Sequence, residues 1–149
     1  MKAIADLLLV ASTALSQLLI VSTVLAQNPG PDGTETQWND WIVINELNQP
    51  IGNSGYYLPT SGKSLDIYDE DNGIAWELEW LGKTDESFGQ AARYATNTGF
   101  EMGIWILAKP ELKESWPKFK DALAFYEKQK VKIHVMVTDV RTGKTWRMR

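Results

Sequence analysis

The sequence contains no cysteine and a single histidine among its 149 residues. The absence of cysteine excludes disulfide bonds, thiolate metal sites and a lipoprotein anchor. No serine elbow or cysteine accompanies His134, which argues against nucleophilic catalysis of the Ser-His or Cys-His type. A glycine-rich phosphate-binding loop is also missing from the sequence. What is present, 44% hydrophobic and 23% charged residues, favours a folded chain over a disordered one.

The N-terminal segment is the longest hydrophobic run of the chain. It extends from Leu7 to Ala26 and ends in Val24-Leu25-Ala26, which places small residues around one spacer position as signal peptidase requires. We therefore predict a secretory signal over residues 1–26, a linker over 27–37, and one globular domain over 38–149. The run is about 20 residues, long enough to span a bilayer. A membrane-anchored protein is the alternative to a secreted one, if the segment is not cleaved.

Charge is distributed unevenly along the rest of the chain. Residues 27–108 carry three Lys or Arg against thirteen Asp or Glu, whereas residues 109–149 carry eleven against five. Such asymmetry between two halves indicates either a polyanionic partner, for example nucleic acid, or two faces that neutralise each other within the fold.

A β-hairpin is the clearest local prediction. Lys63 to Tyr68 and Ile74 to Leu81 both alternate, and Asn72-Gly73 lies between them. Asn-Gly between two alternating runs is the strongest short-range hairpin signal. A turn at Asn72-Gly73 pairs Asp66 with Glu79, whereas a turn at Asp71-Asn72 pairs Asp66 with Glu77.

The other segments alternate between helix and strand patterns. The pattern predicts a mixed sheet with helices packed on it, and therefore an α+β fold. In chain order, the predicted elements are Trp38 to Leu47 as a strand or short buried element, a short strand at Tyr56 to Leu58, the hairpin, a helix over Glu86 to Thr98 capped by Thr84 or Asp85, a central strand over Met102 to Leu107, a helix over Trp116 to Gln129, a strand over Val131 to Val137, and a last short strand.

Three carboxylates of the hairpin fall on one face. Glu77 and Glu79 are two residues apart on the second strand, and either hairpin register places Asp66 on the same side. Opposed carboxylates repel unless something neutralises them, and a divalent cation such as Mg²⁺, which binds one or two carboxylates, is the usual partner. The alternative is an ordinary hairpin with one apolar face and one solvated, acidic face.

The helix after the acidic strand contains Gln90-Ala91-Ala92-Arg93-Tyr94. Together with Asp66 on one strand and Glu77-Leu78-Glu79 on the next, this segment resembles the restriction-endonuclease-like nuclease superfamily, PD-(D/E)XK. The signature of that superfamily is an Asp, then Glu-x-Lys, then in some branches Gln-x-x-x-Tyr on the following helix. Residues 60–138 are also similar in element order to the C-terminal nuclease domains of bacterial polymorphic toxins.

The resemblance implies a restriction-endonuclease-like fold and a role for each matching residue. Asp66 and Glu77 would hold Mg²⁺, and Gln90 and Tyr94 would orient the phosphate or the metal-bound water. Arg93 would contact the phosphate backbone of the substrate. These roles describe a hydrolase that cleaves phosphodiester bonds.

One position departs from the signature, because Glu79 occupies the place of the family's lysine. A glutamate cannot stabilise developing negative charge as a lysine does. Three alternatives follow: Lys63, Lys83 or Lys109 substitutes from elsewhere and binds the substrate, Glu79 serves as a third catalytic or metal-binding carboxylate, or the domain is an inactive relative.

The function expected from these observations is a secreted metal-dependent nuclease or nuclease-like toxin domain. Its partners would be nucleic acid and a protein, either an immunity protein or a target. The alternative is a non-enzymatic secreted binding or interaction protein, which is motivated by the seven tryptophans, the missing signature lysine and the uneven charge.

Overall fold

The computed structural model of the chain describes residues 26–59 and 61–149. The predicted export signal falls on residues 1–26 and lies, except for Ala26, outside the described residues. Within the described residues, no helix is both long and apolar enough to cross a membrane.

The described residues form an α+β fold, as the sequence predicts. Its α-helices are α1 (Glu35–Trp41), α2 (Thr84–Thr98) and α3 (Trp116–Lys128). Its strands are β1 (Tyr57–Leu58), β2 (Lys63–Ser64), β3 (Ile67–Asp69), β4 (Ile74–Trp80), β5 (Glu101–Ala108), β6 (Ile133–Asp139) and β7 (Lys144–Arg147). A π-helical segment, Ile42–Glu46, continues α1, and 3₁₀ turns occur at Ile51–Asn53 and Pro110–Ser115.

The main sheet is mixed and has five strands in the order β3-β4-β5-β6-β7. The three central strands run parallel, and the two edge strands, β3 and β7, run antiparallel to their neighbours. The helices α2 and α3 provide the two crossovers between the parallel strands. β1 and β2 form a separate two-stranded antiparallel ribbon. The predicted order of hairpin, helix, strand, helix and strand is confirmed.

The hairpin adopts the second of the two registers considered above. Ile67 pairs with Trp76 and Asp69 with Ile74, and the same register carried one residue further sets Asp66 opposite Glu77. The connecting residues Glu70 to Gly73 form a turn that ends at Gly73 with φ of 65°. That left-handed conformation is readily available to glycine, which explains the Asn-Gly signal.

β5 is the central strand, and it is covered on both sides. The helices α2 and α3 pack on one face of the sheet, which we call the helix face, and α1 with its π-helical extension packs on the other, the α1 face. The continuous apolar run Met102 to Leu107 is accordingly buried throughout. This is the pattern expected of a parallel strand inside an α/β layer.

The segment Trp38 to Leu47 is helical, so the interpretation as a strand is wrong, although the segment is a buried element. Thr34 and Gln37 form a reciprocal capping box that starts α1, a known signal for a helix N-terminus. Trp38, Trp41 and Ile42 are then buried at helical spacing. Part of the predicted linker therefore belongs to α1.

The predicted helix over Glu86 to Thr98 is confirmed with a small shift at its beginning. It starts at Thr84, and its N-cap, Lys83, makes no side-chain capping bond. The expected caps Thr84 and Asp85 are thus inside the helix. At the other end Gly99 adopts φ of 74° and closes the helix, as glycine does at many helix C-termini.

Candidate acidic site on the helix face

The site is built on β4, whose alternation turns Glu77 and Glu79 toward α2. Each of these residues is only 2% exposed. The alternative of a solvated acidic face is therefore wrong, because α2 covers the side chains that face it. The cover accounts for the unusual burial of two carboxylates in one strand, which proteins avoid unless the charges are compensated.

Glu77 lies beside Asp66 and Tyr94, and one of its oxygens, Oε2, is buried without a hydrogen-bond partner. Burial, followed by the nearby charge of Asp66, raises the pKa of Glu77 to about 9, although the Tyr94 hydroxyl acts in the opposite direction. The carboxyl group therefore carries a proton at neutral pH.

Asp66 is more accessible than Glu77 and is held by the backbone of β4. Its Oδ2 accepts a hydrogen bond from the N–H of Leu78 at 2.9 Å. Burial raises the pKa of Asp66, while this backbone bond and the charge of Arg93 lower it. Asp66 is therefore the member of the pair with the greater contact with solvent.

The carboxylate of Glu79, unlike that of Glu77, is compensated by a backbone hydrogen-bond donor and by a lysine. Its Oε1 accepts from the N–H of Trp80 at 2.9 Å and lies 3.1 Å from the Nζ of Lys83. The same Nζ lies 3.4 Å from Oε1 of Glu35 on α1. Burial raises the pKa of Glu79 to about 7, with the Trp80 and Lys83 contacts opposing it and Glu35 adding to it.

The helix α2 supplies the remaining predicted residues. Tyr94 is buried against the carboxylates, and burial together with the Asp66 and Glu77 carboxyls raises the pKa of its hydroxyl. Arg93 is exposed, with its guanidinium 5.4 Å from the centre of the Tyr94 ring. Gln90 accepts from Arg93 at 2.9 Å and donates to Glu86 at 3.4 Å. Its side chain thus bonds along α2 and not to Asp66, Glu77 or Glu79.

Lys109 lies at the end of β5, with Nζ 4.3 Å from the centre of the Trp80 ring. It borders a groove of about 180 Å³ at the carboxyl ends of the parallel strands. The groove is also lined by Lys113, Trp116, Arg141 and Trp146. A row of positive and aromatic side chains therefore starts beside Trp80 and runs toward β7.

The carboxylates of the site offer a small donor set for a metal ion. In the described part of the chain no group of three Asp, Glu or His side chains is arranged to hold one, because Glu79 turns to Lys83. Asp66 and Glu77 remain as a pair. Mg²⁺ is commonly held by one or two carboxylates and several waters, and the unpartnered Oε2 of Glu77 lacks the neighbour such an ion would provide. The pair therefore fits a two-carboxylate metal site.

Of the residues named from the sequence, the structure brings Asp66, Glu77, Tyr94 and Arg93 close together. Lys83, which the sequence offered as a substitute for the missing lysine, contacts Glu79. Sequence reasoning missed Glu35, whose contact with Lys83 comes from a distant helix. The sequence signal for that helix was the capping pair Thr34 and Gln37, which flanks Glu35. Comparison with protein-family models, with curated proteins and with solved structures finds no match for this chain.

Proposed function

We propose that this protein is a metal-dependent phosphodiesterase that acts on nucleic acid at the Asp66–Glu77 pair. One observation carries the proposal: the carboxyl of Glu77 is buried beside the half-buried Asp66, and its Oε2 has no hydrogen-bond partner. Burying a charged or polar group without compensation is unfavourable by several kcal/mol, roughly. Proteins retain such arrangements chiefly where they function.

Asp66 and Glu77 would hold the divalent cation. When bound there, such an ion polarises the phosphorus and lowers the pKa of an attacking water. Glu77 must first lose its proton, because its pKa is about 9 without the ion. Metal uptake near neutral pH should therefore release protons and become stronger as pH rises.

Glu79 and Lys83 supply acid–base and electrostatic assistance. With a pKa of about 7, Glu79 is suited to accept a proton from water at neutral pH. The Lys83 ammonium, 3.1 Å from Glu79, would supply the positive charge that a lysine supplies in the signature this chain resembles. Tyr94 keeps its proton and acts as a donor, and Arg93 is exposed for contact with a phosphate.

The row of basic and aromatic residues at the carboxyl ends of the strands supports a nucleic-acid substrate. Trp146 is 40% exposed and borders the same groove as Lys109, Lys113 and Arg141. Aromatic side chains stack on bases, and positive ones follow the phosphate backbone, in proteins that bind single strands. Neither property would be needed for a small neutral substrate.

The test combines cleavage with metal titration. The full chain is incubated with single- and double-stranded DNA and RNA in the presence of Mg²⁺ or Mn²⁺, and metal binding is followed by calorimetry in two buffers to count released protons. We expect cleavage and proton release from the wild type, and loss of both in Glu77→Gln. The matched control is Glu70→Gln, an exposed glutamate in the hairpin turn. Equal behaviour of wild type and Glu77→Gln in both assays contradicts the proposal.

A second candidate is a non-catalytic, nuclease-like protein that binds nucleic acid or a protein partner. It is favoured by the absence of a third metal-binding side chain among the described residues. Binding of single-stranded oligonucleotide without proton release, metal uptake or cleavage would select it. We also propose that the protein is secreted and has a toxin-type role. Secretion is tested by intact-mass analysis of exported material, which should begin at Gln27.

A further inference from the structure

Two grooves meet at a pair of tryptophans beside the edge strand β7. The first is the groove of about 180 Å³ at the carboxyl ends of the parallel strands. The second, of about 320 Å³, is lined by Trp116, Lys120, Trp146 and Met148. Because Trp116 and Trp146 line both grooves, the two adjoin and form one surface, which we call the tryptophan surface.

The edge position of β7 explains why Trp146 is accessible. Trp146 pairs with Val137 of β6, so its side chain lies on the same side of the sheet as Val137, which is packed into the core of the helix face. β7 is the last strand of the main sheet, and Trp146 is 40% exposed. All seven tryptophans lie within the described residues, and the other six are buried or half-buried. Trp146 therefore has aromatic surface free for a ligand.

The tryptophan surface is positively charged, although the chain as a whole has a net charge of −4. The cations that line it are Lys109, Lys113, Lys120 and Arg141, and the one acid among the described residues that line it is Asp139. Asp139 lies 3.4 Å from Arg141, so these two charges compensate each other. The three lysines leave an excess of positive charge, which attracts a polyanion.

The three lysines are available to a ligand. Lys109 and Lys120 take part in none of the ion pairs among the described residues. Lys113 has an exposed contact of 3.9 Å with Glu114, which solvent screens. The Trp80 ring beneath the Nζ of Lys109 holds the ammonium in place without neutralising its charge. Positive charge is therefore present in both grooves, and Trp146 lines each of them.

We infer that the tryptophan surface selects single-stranded nucleic acid, with an unpaired base stacked on Trp146 and the adjoining phosphates paired with Lys109, Lys113 and Lys120. The inference rests on the proposed function for the choice of nucleic acid as the polyanion, and it adds a strand-selecting residue outside the acidic site. Stacking on aromatic rings together with phosphate contacts is how proteins bind single strands without reading their sequence. Trp146 is thus a specificity-determining residue.

Two features favour a single strand over other polyanions. The bases of a duplex are stacked on their neighbours and do not reach a protein ring unless they are flipped out. Duplex readout also uses a helix or ribbon that enters the major groove, whereas the tryptophan surface is a pair of grooves. An acidic protein is a weaker fit, because protein interfaces are depleted in lysine and enriched in arginine, and this surface has three lysines and one arginine.

The test measures binding without cleavage. The full chain is titrated in EDTA into fluorescein-labelled oligo-dT and oligo-rU of about 12 nucleotides, into a DNA duplex of the same length, and into a polyglutamate peptide. Fluorescence anisotropy gives the affinities. We expect both single strands to bind at least about tenfold more tightly than the duplex and the peptide. The logarithm of the association constant should fall with the logarithm of salt concentration with a slope of about −2, for three phosphate contacts.

Matched variants assign the binding to residues. Trp146→Leu should weaken single-strand binding about tenfold, because leucine has no ring on which a base stacks, and Trp146→Phe should retain most of the affinity. Phe125→Leu is the control, since Phe125 is 59% exposed and lines neither groove. Lys120→Met should reduce the salt slope by about 0.7, whereas Lys128→Met, at the exposed end of α3, should not. Circular dichroism checks that each variant folds.

Three results would overturn the inference: no binding of either single strand, equal binding of single strand and duplex or polyglutamate, and unchanged single-strand affinity in a folded Trp146→Leu. If Trp146→Leu does not fold, a salt slope that Lys120→Met leaves unchanged overturns it instead. The inference and the proposed function fail separately, because EDTA removes the metal. The expected binding pattern in a protein that never cleaves supports the inference and contradicts the proposed function, whereas cleavage without that pattern contradicts the inference alone.

Discussion

Two carboxylates of one hairpin are buried to the same degree and surrounded in opposite ways. Asp69 is 1% exposed and Glu77 is 2% exposed. Asp69 accepts hydrogen bonds from the side chains of Gln49, Asn72 and Trp76 at 2.7–3.2 Å. Glu77, by contrast, keeps its Oε2 without a donor. Burial alone therefore does not distinguish a structural carboxylate from a candidate functional one. The number of hydrogen-bond donors around each carboxylate does.

Glu79 stands between these two extremes. It is as buried as Glu77, but it accepts one backbone N–H and pairs with the half-exposed Lys83. The series Asp69, Glu79, Glu77 runs from full to incomplete compensation of a buried carboxylate. We therefore expect variants at these positions to change the free energy of unfolding by different amounts.

The largest effect is expected at Asp69. Asp69→Ala leaves the indole N–H of Trp76 and the amide of Gln49 without their acceptor in the interior, and removes the acceptor of the exposed Asn72. Each buried unsatisfied group is unfavourable by about 1–3 kcal/mol, so we expect a loss of roughly 3 kcal/mol or more in the free energy of unfolding. Urea unfolding followed by circular dichroism at pH 7 measures it.

The matched comparison is Glu77→Gln under the same conditions. Glu77 is protonated at pH 7, so a neutral amide of similar shape should change the free energy of unfolding by about 1 kcal/mol or less. If Asp69→Ala and Glu77→Gln destabilise equally, donor count is not what separates the two carboxylates.

The second effect is a dependence of stability on pH. The pKa of Glu77 is raised from 4.5 to about 9 on folding, so the folded state holds a proton that the unfolded state releases. Stability should therefore be highest below about pH 4.5 with respect to this group and fall as pH rises toward 9. The slope reaches at most about 1.4 kcal/mol per pH unit.

Glu77→Gln should flatten this slope between pH 7 and 9, and Glu70→Gln should retain it. Below pH 7 a second contribution from Glu79, whose pKa is about 7, should persist in Glu77→Gln. Unfolding free energies at several pH values give both slopes. A wild-type protein whose stability is constant from pH 6 to pH 9 would contradict the prediction.

The smallest effect is expected at Lys83. Its side chain is 49% exposed, so the ion pair with Glu79 contributes at most about 1 kcal/mol to stability. Lys83→Met should nevertheless raise the pKa of Glu79, because it removes the cation that opposes burial. Carboxyl carbon NMR titration measures the shift. Lys118→Met, which breaks an exposed pair with Asp85, should leave the pKa of Glu79 unchanged.

Much of the fold follows from local sequence signals. Asn72-Gly73 predicts the hairpin, Gly99 ends α2, and the apolar run Met102 to Leu107 predicts a strand covered on both sides. The segment Trp38 to Leu47 was misread because β-branched residues also favour strands. Its helical state depends on the Thr34 capping box and on contacts with the sheet.

The site was predictable in part. Alternation alone places Glu77 and Glu79 on one side, since strand side chains alternate regardless of what packs on them. Their burial was not predictable, because it depends on how α2 lies across the sheet. The donors of Asp69 were also missed, since Gln49 is twenty residues away in the sequence.

The π-helical segment Ile42–Glu46 has a geometric consequence for the side chains that it presents on the α1 face. Its backbone bonds span five residues or more, as between the N–H of Leu47 and the carbonyl of Ile42 at 3.0 Å. One residue of an α-helix corresponds to about 100° of rotation. The wide turn therefore shifts the rotational phase of the segment, and an uninterrupted α-helix of the same sequence would turn Glu46 to a different direction by up to about 100°. The direction of the Glu46 carboxylate is thus set by backbone hydrogen bonding.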